Sequence, residues 1–104
     1  MRKIDLTDYQ TGVNNENGDP ITFNVRRSLI EVLFLPAANG RELLERDKTA
    51  RLIDDWPDAS LLLSEDQWTK LKAGLDEMKV NSRLYVEFAR RIMEAPDVPV
   101  VEKQ

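Results

Sequence analysis

The amino-acid sequence predicts an α+β fold, mostly helical, in which an N-terminal β-hairpin packs on about four short helices. Near the N-terminus, apolar residues alternate with polar ones at the period of half-buried strands. Four later segments repeat apolar residues at helical spacing. Residues 28–35 are apolar on nearly every side, in a chain of which 33% is charged, and such a segment belongs inside a small domain.

An N-terminal hairpin or pair of short strands is predicted over residues 3–25. The alternating apolar positions are Ile4, Leu6, Ile21, Phe23 and Val25. Between them, residues 14–20 contain an Asn-Gly pair, which tolerates positive φ, and a proline, which ends a strand ladder. That stretch is therefore an exposed turn or loop. Since a lone hairpin is only marginally stable in water, its apolar face must lie on the helices.

The first helix is expected from about Val25 to Phe34. Asn24 is a suitable N-cap because its side chain accepts a backbone hydrogen bond from the first helical turn. Pro36 disfavours helical geometry in the residue before it, so the helix stops there.

A second helix is expected from Asn39 to about Asp54. Asn39 and Glu42 resemble a capping box, in which a side-chain acceptor precedes an acid by three residues. The apolar face of this helix carries Leu43, Leu44, Ala50 and Ile53. Residues 54–58 break the helix. The leucine run at 61–63 is too short for a helix and indicates a buried extended segment.

The third helix begins at Ser64, which forms a serine-x-x-glutamine capping box with Gln67. Its apolar positions are Trp68, Leu71, Leu75 and Met78. Gly74 costs this helix about 1 kcal/mol relative to alanine. We interpret that glycine as a mark of close approach by another element.

A fourth helix is expected after a break at residues 81–82. It presents Leu84, Tyr85, Phe88, Ala89 and Ile92 and ends before a proline. Residues 1–96 are therefore predicted to form a single globular domain, with 97–104 as an extended C-terminal tail. The helical stripes together predict one core cluster of Leu29, Leu33, Leu43, Leu71, Leu75, Phe88 and Ile92.

Composition predicts a soluble domain inside the cell. The 104 residues, 41% of them hydrophobic, suit one globular domain. The longest apolar run, at 32–35, is far below the ~20 residues of a membrane span, and the N-terminus lacks the apolar core of a secretory signal. The chain has no cysteine, which fits a reducing compartment. We expect a cytoplasmic protein that has no membrane partner.

Charge and residue types exclude several classes of function. A net charge of −4 argues against direct, phosphate-driven binding of nucleic acid. The arginine pairs at 26–27 and 90–91 have acids nearby and are expected to be solvated or salt-bridged. The chain has no histidine and no cysteine, so neither a Ser-His-Asp triad nor a His-ligated zinc site is available. An enzyme built from this chain would have to use carboxylate, lysine or tyrosine chemistry, or a magnesium site of oxygen ligands.

No enzyme activity, cofactor, metal site or small-molecule substrate is expected. Asp54, Asp55 and Asp58 offer three carboxylates, but they lack the ligand spacing and the glycine of a calcium loop. Acidic residues at a helix end followed by a turn are common on protein surfaces. We therefore expect a protein that acts by contact, either with a protein partner or with further copies of itself.

Two residues of the central region are candidate contact positions. Asp47 falls within the apolar face of the second helix, where a charge must be paired or lie at the margin. It either forms a structural salt bridge with Arg26 or Arg51 or contacts a partner. Trp56 stands in a loop beside acids and a proline, as a plug over the core or as an anchor for a protein contact. Trp68, in contrast, opens an apolar stripe and is expected in the core.

The C-terminal tail supplies the remaining candidates, Val98, Val100 and Val101. The Val-Pro-Val-Val segment cannot propagate a helix, but an extended segment can add to a sheet edge. Two alternatives stay open. The segment packs back on the protein's own hairpin, or a second molecule orders it and the protein acts as an oligomer or within an assembly.

Four segments carry a likeness in layout to a known group of viral proteins. They are residues 2–7 (RKIDLT), 27–34 (RSLIEVLF), 40–47 (GRELLERD) and 92–96 (IMEAP). With them the chain resembles the small accessory proteins encoded among the structural genes of tailed bacteriophages. The resemblance implies a phage protein that works by contact, in virion or tail assembly or in host takeover, located in the host cytoplasm or the virion. It carries over no catalytic residue.

Two functional hypotheses follow. The first is a non-enzymatic protein–protein interaction module whose partner belongs to a phage particle or an assembly intermediate. The second is a small acidic regulator or inhibitor of a host nucleic-acid enzyme, which imitates the charge of DNA. Acids clustered on one face favour the second hypothesis, whereas the acids in this sequence are spread along the chain, which favours the first.

Overall fold

The structure is a computed structural model that describes residues 1–79 and 83–99. Within them lie four strands, four α-helices and a 3₁₀ turn, so the predicted α+β class is confirmed. In chain order the elements are β1 (Arg2–Asp5), β2 (Tyr9–Asn14), β3 (Pro20–Phe23), α1 (Val25–Leu33), α2 (Gly40–Asp55), β4 (Ser60–Leu63), α3 (Glu65–Glu77), the 3₁₀ turn (Arg83–Tyr85) and α4 (Val86–Met93). The break expected at 81–82 lies outside the described residues.

The strands form two small antiparallel sheets, β2 with β3 and β1 with β4. The predicted N-terminal hairpin is the β2–β3 pair. The first strand, which the alternating pattern grouped with that hairpin, instead pairs with β4, from Arg2 opposite Leu63 to Asp5 opposite Ser60. This correction has a simple physical reason. Ile4 lies opposite Leu61 in the ladder, and both side chains are buried in the core.

The free edge of β1 is covered by the segment that follows α4. The Lys3 N–H donates to the Pro96 carbonyl at 3.0 Å, and the Val98 N–H donates to the Met1 carbonyl at 2.7 Å. Arg2 and Asp97 form the bridge between the two segments. The domain boundary after residue 96 stays a prediction; on either side of it, Pro96 and Val98 are both hydrogen-bonded to the N-terminal segment.

The core cluster confirms most of the sequence prediction. Leu33 is 1% exposed, as the central-helix interpretation requires. The other predicted members that are buried are Leu29, Leu71, Phe88 and Ile92, and Leu75 packs against the cluster partly buried. The prediction for Leu43 is wrong, because this side chain is 46% exposed.

The position of α2 explains why Leu43 lies outside. The buried stripe of α2 is made of Arg46, Thr49, Ala50 and Ile53. Leu43 stands in the first turn of the helix, one turn before this stripe. α1 ends at Leu33, and Phe34 and Leu35, which follow it, are themselves 40% and 48% exposed.

Side-chain caps set the starts of three helices where the sequence predicted them. The Asn24 side chain accepts a hydrogen bond from the Arg27 N–H, and the Asn39 side chain accepts one from the Glu42 N–H. The Ser64–Gln67 box is complete, with a hydrogen bond in each direction. At α2 the box is only half formed, because the Glu42 carboxylate lies 3.6 Å from Arg46 instead.

Two contacts join the helices tightly to the rest of the fold. A Cβ atom at Gly74 would lie 2.1 Å from the Val32 carbonyl oxygen, which confirms that another element approaches this glycine closely. Trp68 is buried as predicted, and its indole N–H donates to the Ile92 carbonyl at 2.8 Å. Arg2 lies over the same ring, 3.9 Å from its centroid.

Candidate functional site

Asp47 lies on α2 with its carboxylate half exposed and paired to Arg51 at 2.9 Å. Of the two arginines considered from the sequence, Arg51 is therefore the one that forms the salt bridge. Arg26 instead donates to the carbonyl groups of Ile53 and Asp54 at the end of α2. A contact between Asp47 and a partner stays a prediction.

Trp56 follows the last residue of α2 and is partly buried against the core. Its indole N–H donates to the Ser60 carbonyl at 2.9 Å. This is the geometry of a plug, since the ring covers the core while the polar edge is satisfied by β4. A role as an anchor for a partner stays a prediction.

Val98 is held by β1, through its own N–H and through its carbonyl, which accepts a hydrogen bond from the N-terminal amine at 3.0 Å. With Pro99, Lys3 and Leu62 it borders a shallow depression of about 560 Å³ on the β1–β4 sheet. Val100 and Val101 lie outside the described residues. The candidates Asp47, Trp56 and Val98 are thus held by three separate sets of contacts.

A set of exposed apolar side chains lies instead where α1 meets α2. We call Phe34, Leu35, Leu43 and Leu44 the apolar corner. Their exposed fractions are 40%, 48%, 46% and 68%. Exposed large apolar residues are normal when scattered singly, whereas a group of them marks a contact surface. The helical pattern had placed Leu43 and Leu44 on the inner face of α2, which is why the sequence did not reveal this group.

Two sets of side-chain hydrogen bonds show how α1 and α2 are arranged. At one end of the helix pair, Arg26 in the first turn of α1 donates to carbonyl groups at the end of α2. At the other end, Arg46 in α2 donates to the Pro36 carbonyl, just after α1. The two helices therefore run antiparallel, and the end of α1 lies beside the start of α2.

Charged side chains surround the apolar corner. Glu42 pairs with Arg46, and Asp47 pairs with Arg51, each across one helical turn. Arg41 is exposed, and its side chain forms no ion pair or hydrogen bond with any residue in the described part of the chain. The rim therefore offers Arg41 as an unpaired cation beside the leucine pair.

A second surface feature is a groove between β2 and α4. Its volume is about 730 Å³. One wall is the strand from Tyr9 to Val13, and the other carries Arg83, Val86, Glu87, Arg90 and Arg91. We call this the arginine groove, because three arginines and one acid supply its charged groups.

Tyr9 fixes the base of the arginine groove. Its hydroxyl donates to the Leu84 carbonyl at 2.8 Å and accepts from the Phe88 N–H at 3.1 Å, so it joins β2 to the start of α4. Burial raises the pKa of this hydroxyl above its ordinary value, while the hydrogen bond from Phe88 and the charge of Arg91 act in the opposite direction. The ring stacks on Phe23, with centroids 5.0 Å apart.

Arg91 is held at the floor of the same groove. Its guanidinium donates to the carbonyl groups of Asp5 and Thr7 and lies 4.9 Å from the Tyr9 ring centroid. The pKa of Asp5 is lowered, chiefly by the hydrogen bond that the Thr7 hydroxyl donates to its carboxylate. Arg91 thus ties the end of β1 to α4 and is mostly buried.

The backbone of the acidic segment 54–58 is held by Arg26 of α1. The Arg26 guanidinium donates to the backbone carbonyls of Ile53, Asp54 and Asp58. In residues 1–79 and 83–99, no group of three His, Cys, Asp or Glu side chains has the geometry to hold a metal ion. No helix in the described ranges has both the length and the apolar character needed to cross a membrane.

Comparison of the chain with family models, curated proteins and solved structures gives no match.

Proposed function

We propose that this protein is a non-enzymatic interaction module and that its partner protein binds at the apolar corner. The observation that carries the proposal is the exposure of Phe34, Leu35, Leu43 and Leu44 in one region of a highly charged chain. Full burial of one such side chain contributes about 1.5–3 kcal/mol. Covering this group is therefore a substantial driving force for association.

The surroundings of the apolar corner indicate what kind of partner surface it fits. Stable interfaces combine an apolar centre with a polar rim. Here the rim carries the unpaired Arg41 and the ion pair between Asp47 and Arg51. A partner that presents an apolar depression with an acidic side chain at its border complements both features. In this arrangement Asp47 is a rim contact, as its half-exposed carboxylate allows.

The resemblance to small accessory proteins of tailed bacteriophages supports a role in virion or tail assembly. Such proteins act by contact and need no catalytic group. We place the contact at the apolar corner, and the partner among the proteins of a particle or of an assembly intermediate.

The distribution of acids favours this role over mimicry of DNA. Many of the carboxylates lie within 4.0 Å of a cation of the same molecule: Asp5, Glu31, Glu42, Glu45, Asp47, Glu65, Glu87, Glu94 and Asp97. An imitation of DNA needs a continuous field of unpaired negative charge. Paired and dispersed acids do not supply such a field.

The test is co-expression of the tagged protein with the products of its neighbouring genes, followed by purification and measurement of stoichiometry. We expect one gene product to co-purify at a fixed ratio with the wild-type chain. The double variant Leu43→Ser, Leu44→Ser should no longer co-purify with that gene product, because it removes half of the apolar corner. Both side chains are exposed, so the two substitutions leave the core intact. Met93→Ser, another exposed apolar residue on α4, is the matched control and should retain the partner.

Circular dichroism on both variants checks that the fold is unchanged. Equal co-purification by the wild type and the double variant would refute the apolar corner as the docking surface. Light scattering on the wild type alone reports whether the partner is a second copy of the chain. If the wild type is a dimer and the double variant is a monomer, the partner at the apolar corner is a second copy of the chain and not another protein.

A further inference from the structure

We propose that the arginine groove binds an extended acidic segment of a protein, in which an apolar residue lies between carboxylates. This site is separate from the apolar corner, and the inference does not depend on the function proposed for that corner. It rests on the charge of the groove, on two exposed valines at its walls and on the way its walls are fixed.

The charged groups of the groove are mostly cationic, although the whole chain is acidic. Three arginines and a single acid, Glu87, line it, whereas the formal net charge of the chain is −4. Arg91 is committed to backbone carbonyls, and Arg90 shares Glu87 and Glu94. Arg83 forms no ion pair or side-chain hydrogen bond within residues 1–79 and 83–99. A ligand carboxylate at Arg83 therefore supplies a partner that no residue of the described ranges provides.

Two apolar side chains flank the cations from opposite walls. Val13 belongs to β2 and Val86 begins α4, and both are among the exposed large hydrophobic residues. Successive side chains of an extended segment point to opposite sides. In a segment of alternating acidic and apolar residues, the carboxylates therefore face the arginines of the α4 wall while the apolar side chains face Val13 on the β2 wall.

The walls of the groove are fixed before any ligand arrives. The Tyr9 hydroxyl joins β2 to the Leu84 carbonyl and to the Phe88 N–H. Leu84 follows Arg83 directly, so the turn that carries the unpaired arginine is held against the strand. A preorganised site loses less conformational entropy on binding than a mobile one.

A protein segment fits the groove better than a nucleic acid does. Binding of single strands relies on aromatic faces on which bases stack. The one aromatic residue that lines the groove, Tyr9, already has Phe23 stacked on its ring and Arg91 over it. The acidic net charge of the chain also opposes a polyphosphate.

The test uses the full chain and a short fluorescent peptide of alternating aspartate and valine, with binding followed by anisotropy. We expect saturable binding that weakens as salt is raised. Arg83→Glu should raise the dissociation constant about tenfold or more, because it replaces the free cation by a like charge. Lys48→Glu is the matched control, an exposed cation on α2 outside the groove, and should leave the dissociation constant within about twofold.

Three further arms complete the experiment. The same peptide with asparagine in place of aspartate should bind at least about tenfold more weakly. Val13→Ser, which keeps all charges and replaces an exposed side chain of the β2 wall, should weaken binding of the acidic peptide. Leu43→Ser with Leu44→Ser should leave its affinity unchanged, so failure here and failure of the proposed function are distinguishable. Circular dichroism verifies the fold of each variant.

The inference is overturned if the acidic peptide shows no saturable binding, or if the asparagine peptide binds equally well. If Arg83→Glu and Lys48→Glu lose affinity for the peptide equally, the loss reflects only the net charge of the protein, and this result also overturns the inference. Tighter binding of oligothymidylate than of the peptide, abolished by Arg83→Glu, would assign the groove to nucleic acid instead.

Discussion

Tyr9 shows how much of this fold depends on one hydroxyl group. It donates to the Leu84 carbonyl and accepts from the Phe88 N–H, and its ring lies between Phe23 and Arg91. The residue thus joins the hairpin to the start of α4. The alternating pattern of the sequence did not single it out, because a hydrogen bond between residues 9 and 88 leaves no trace in local periodicity.

Tyr9→Phe should lower the free energy of unfolding at pH 7 by about 1–2 kcal/mol, since two partly buried backbone groups lose their partner. The effect should depend on pH. The pKa of Tyr9 is raised in the folded state, so the folded protein holds this proton more tightly than the unfolded chain does. The associated stability is present below the ordinary pKa of about 10 and is lost as the pH rises through the folded value.

The measurement is urea unfolding of the wild type and Tyr9→Phe between neutral and strongly alkaline pH. The difference between their unfolding free energies should shrink above pH ~10. Tyr85→Phe is the control, because the Tyr85 ring packs on Phe23 and Phe88 while its hydroxyl forms no hydrogen bond with any described residue. A difference that stays constant with pH would contradict the account of Tyr9.

Leu33 and Leu43 mark the limit of sequence prediction at the residue scale. Both occupy apolar positions at helical spacing, yet Leu33 is buried and Leu43 is 46% exposed. Periodicity identifies the apolar side of a helix but not how far along that side a neighbour extends. The buried stripe of α2 begins at Arg46, one turn after Leu43, and that starting point is not visible in the periodicity.

At the scale of elements, the crossing of α1 and α3 depends on a missing side chain. Gly74 lies within α3, one turn before its end, and an added Cβ atom would lie 2.1 Å from the Val32 carbonyl oxygen. Backbone cannot move aside as the end of a flexible side chain can. The sequence indicated this close approach correctly, because glycine is unfavourable within a helix unless packing requires it.

Gly74→Ala should therefore destabilise the protein, although alanine favours an isolated helix by about 1 kcal/mol. We expect a loss of about 1–3 kcal/mol, the usual range for overpacking, measured by chemical denaturation. Gly40→Ala is the matched control, since nothing lies within 4 Å of an added Cβ atom at the first residue of α2. A Gly74→Ala variant as stable as the wild type would show that the two helices are farther apart.

Local signals predicted elements better than their pairing. The caps at Asn24, Asn39 and Ser64 are short-range, and all three start helices as expected. The pairing of β1 with β4 joins residues about sixty positions apart, so no local pattern encodes it. The leucine run of β4 indicated an extended segment. Which strand pairs with β4 depends on how the helices between β1 and β4 pack.

At the scale of the whole molecule, both ends of the described chain meet. The segment after α4 covers the edge of β1, and the N-terminal amine contacts both Asp97 and Val98. The sequence left open whether the tail packs on the protein's own hairpin or is ordered by a second molecule. The described part of the tail lies against β1, outside the β2–β3 hairpin, and Val100 and Val101 lie outside the described residues. The exposed apolar surface at the α1–α2 end is therefore the stronger candidate for a contact with a partner.

Amide hydrogen exchange of the co-purified complex tests the central claim most directly. Exchange is compared peptide by peptide between the protein alone and the protein with its partner. We predict slower exchange on binding in residues 34–47, which span the apolar corner, and unchanged exchange in the β1–β4 sheet. Protection that leaves residues 34–47 unaffected would contradict the claim that the apolar corner is the surface through which this protein acts.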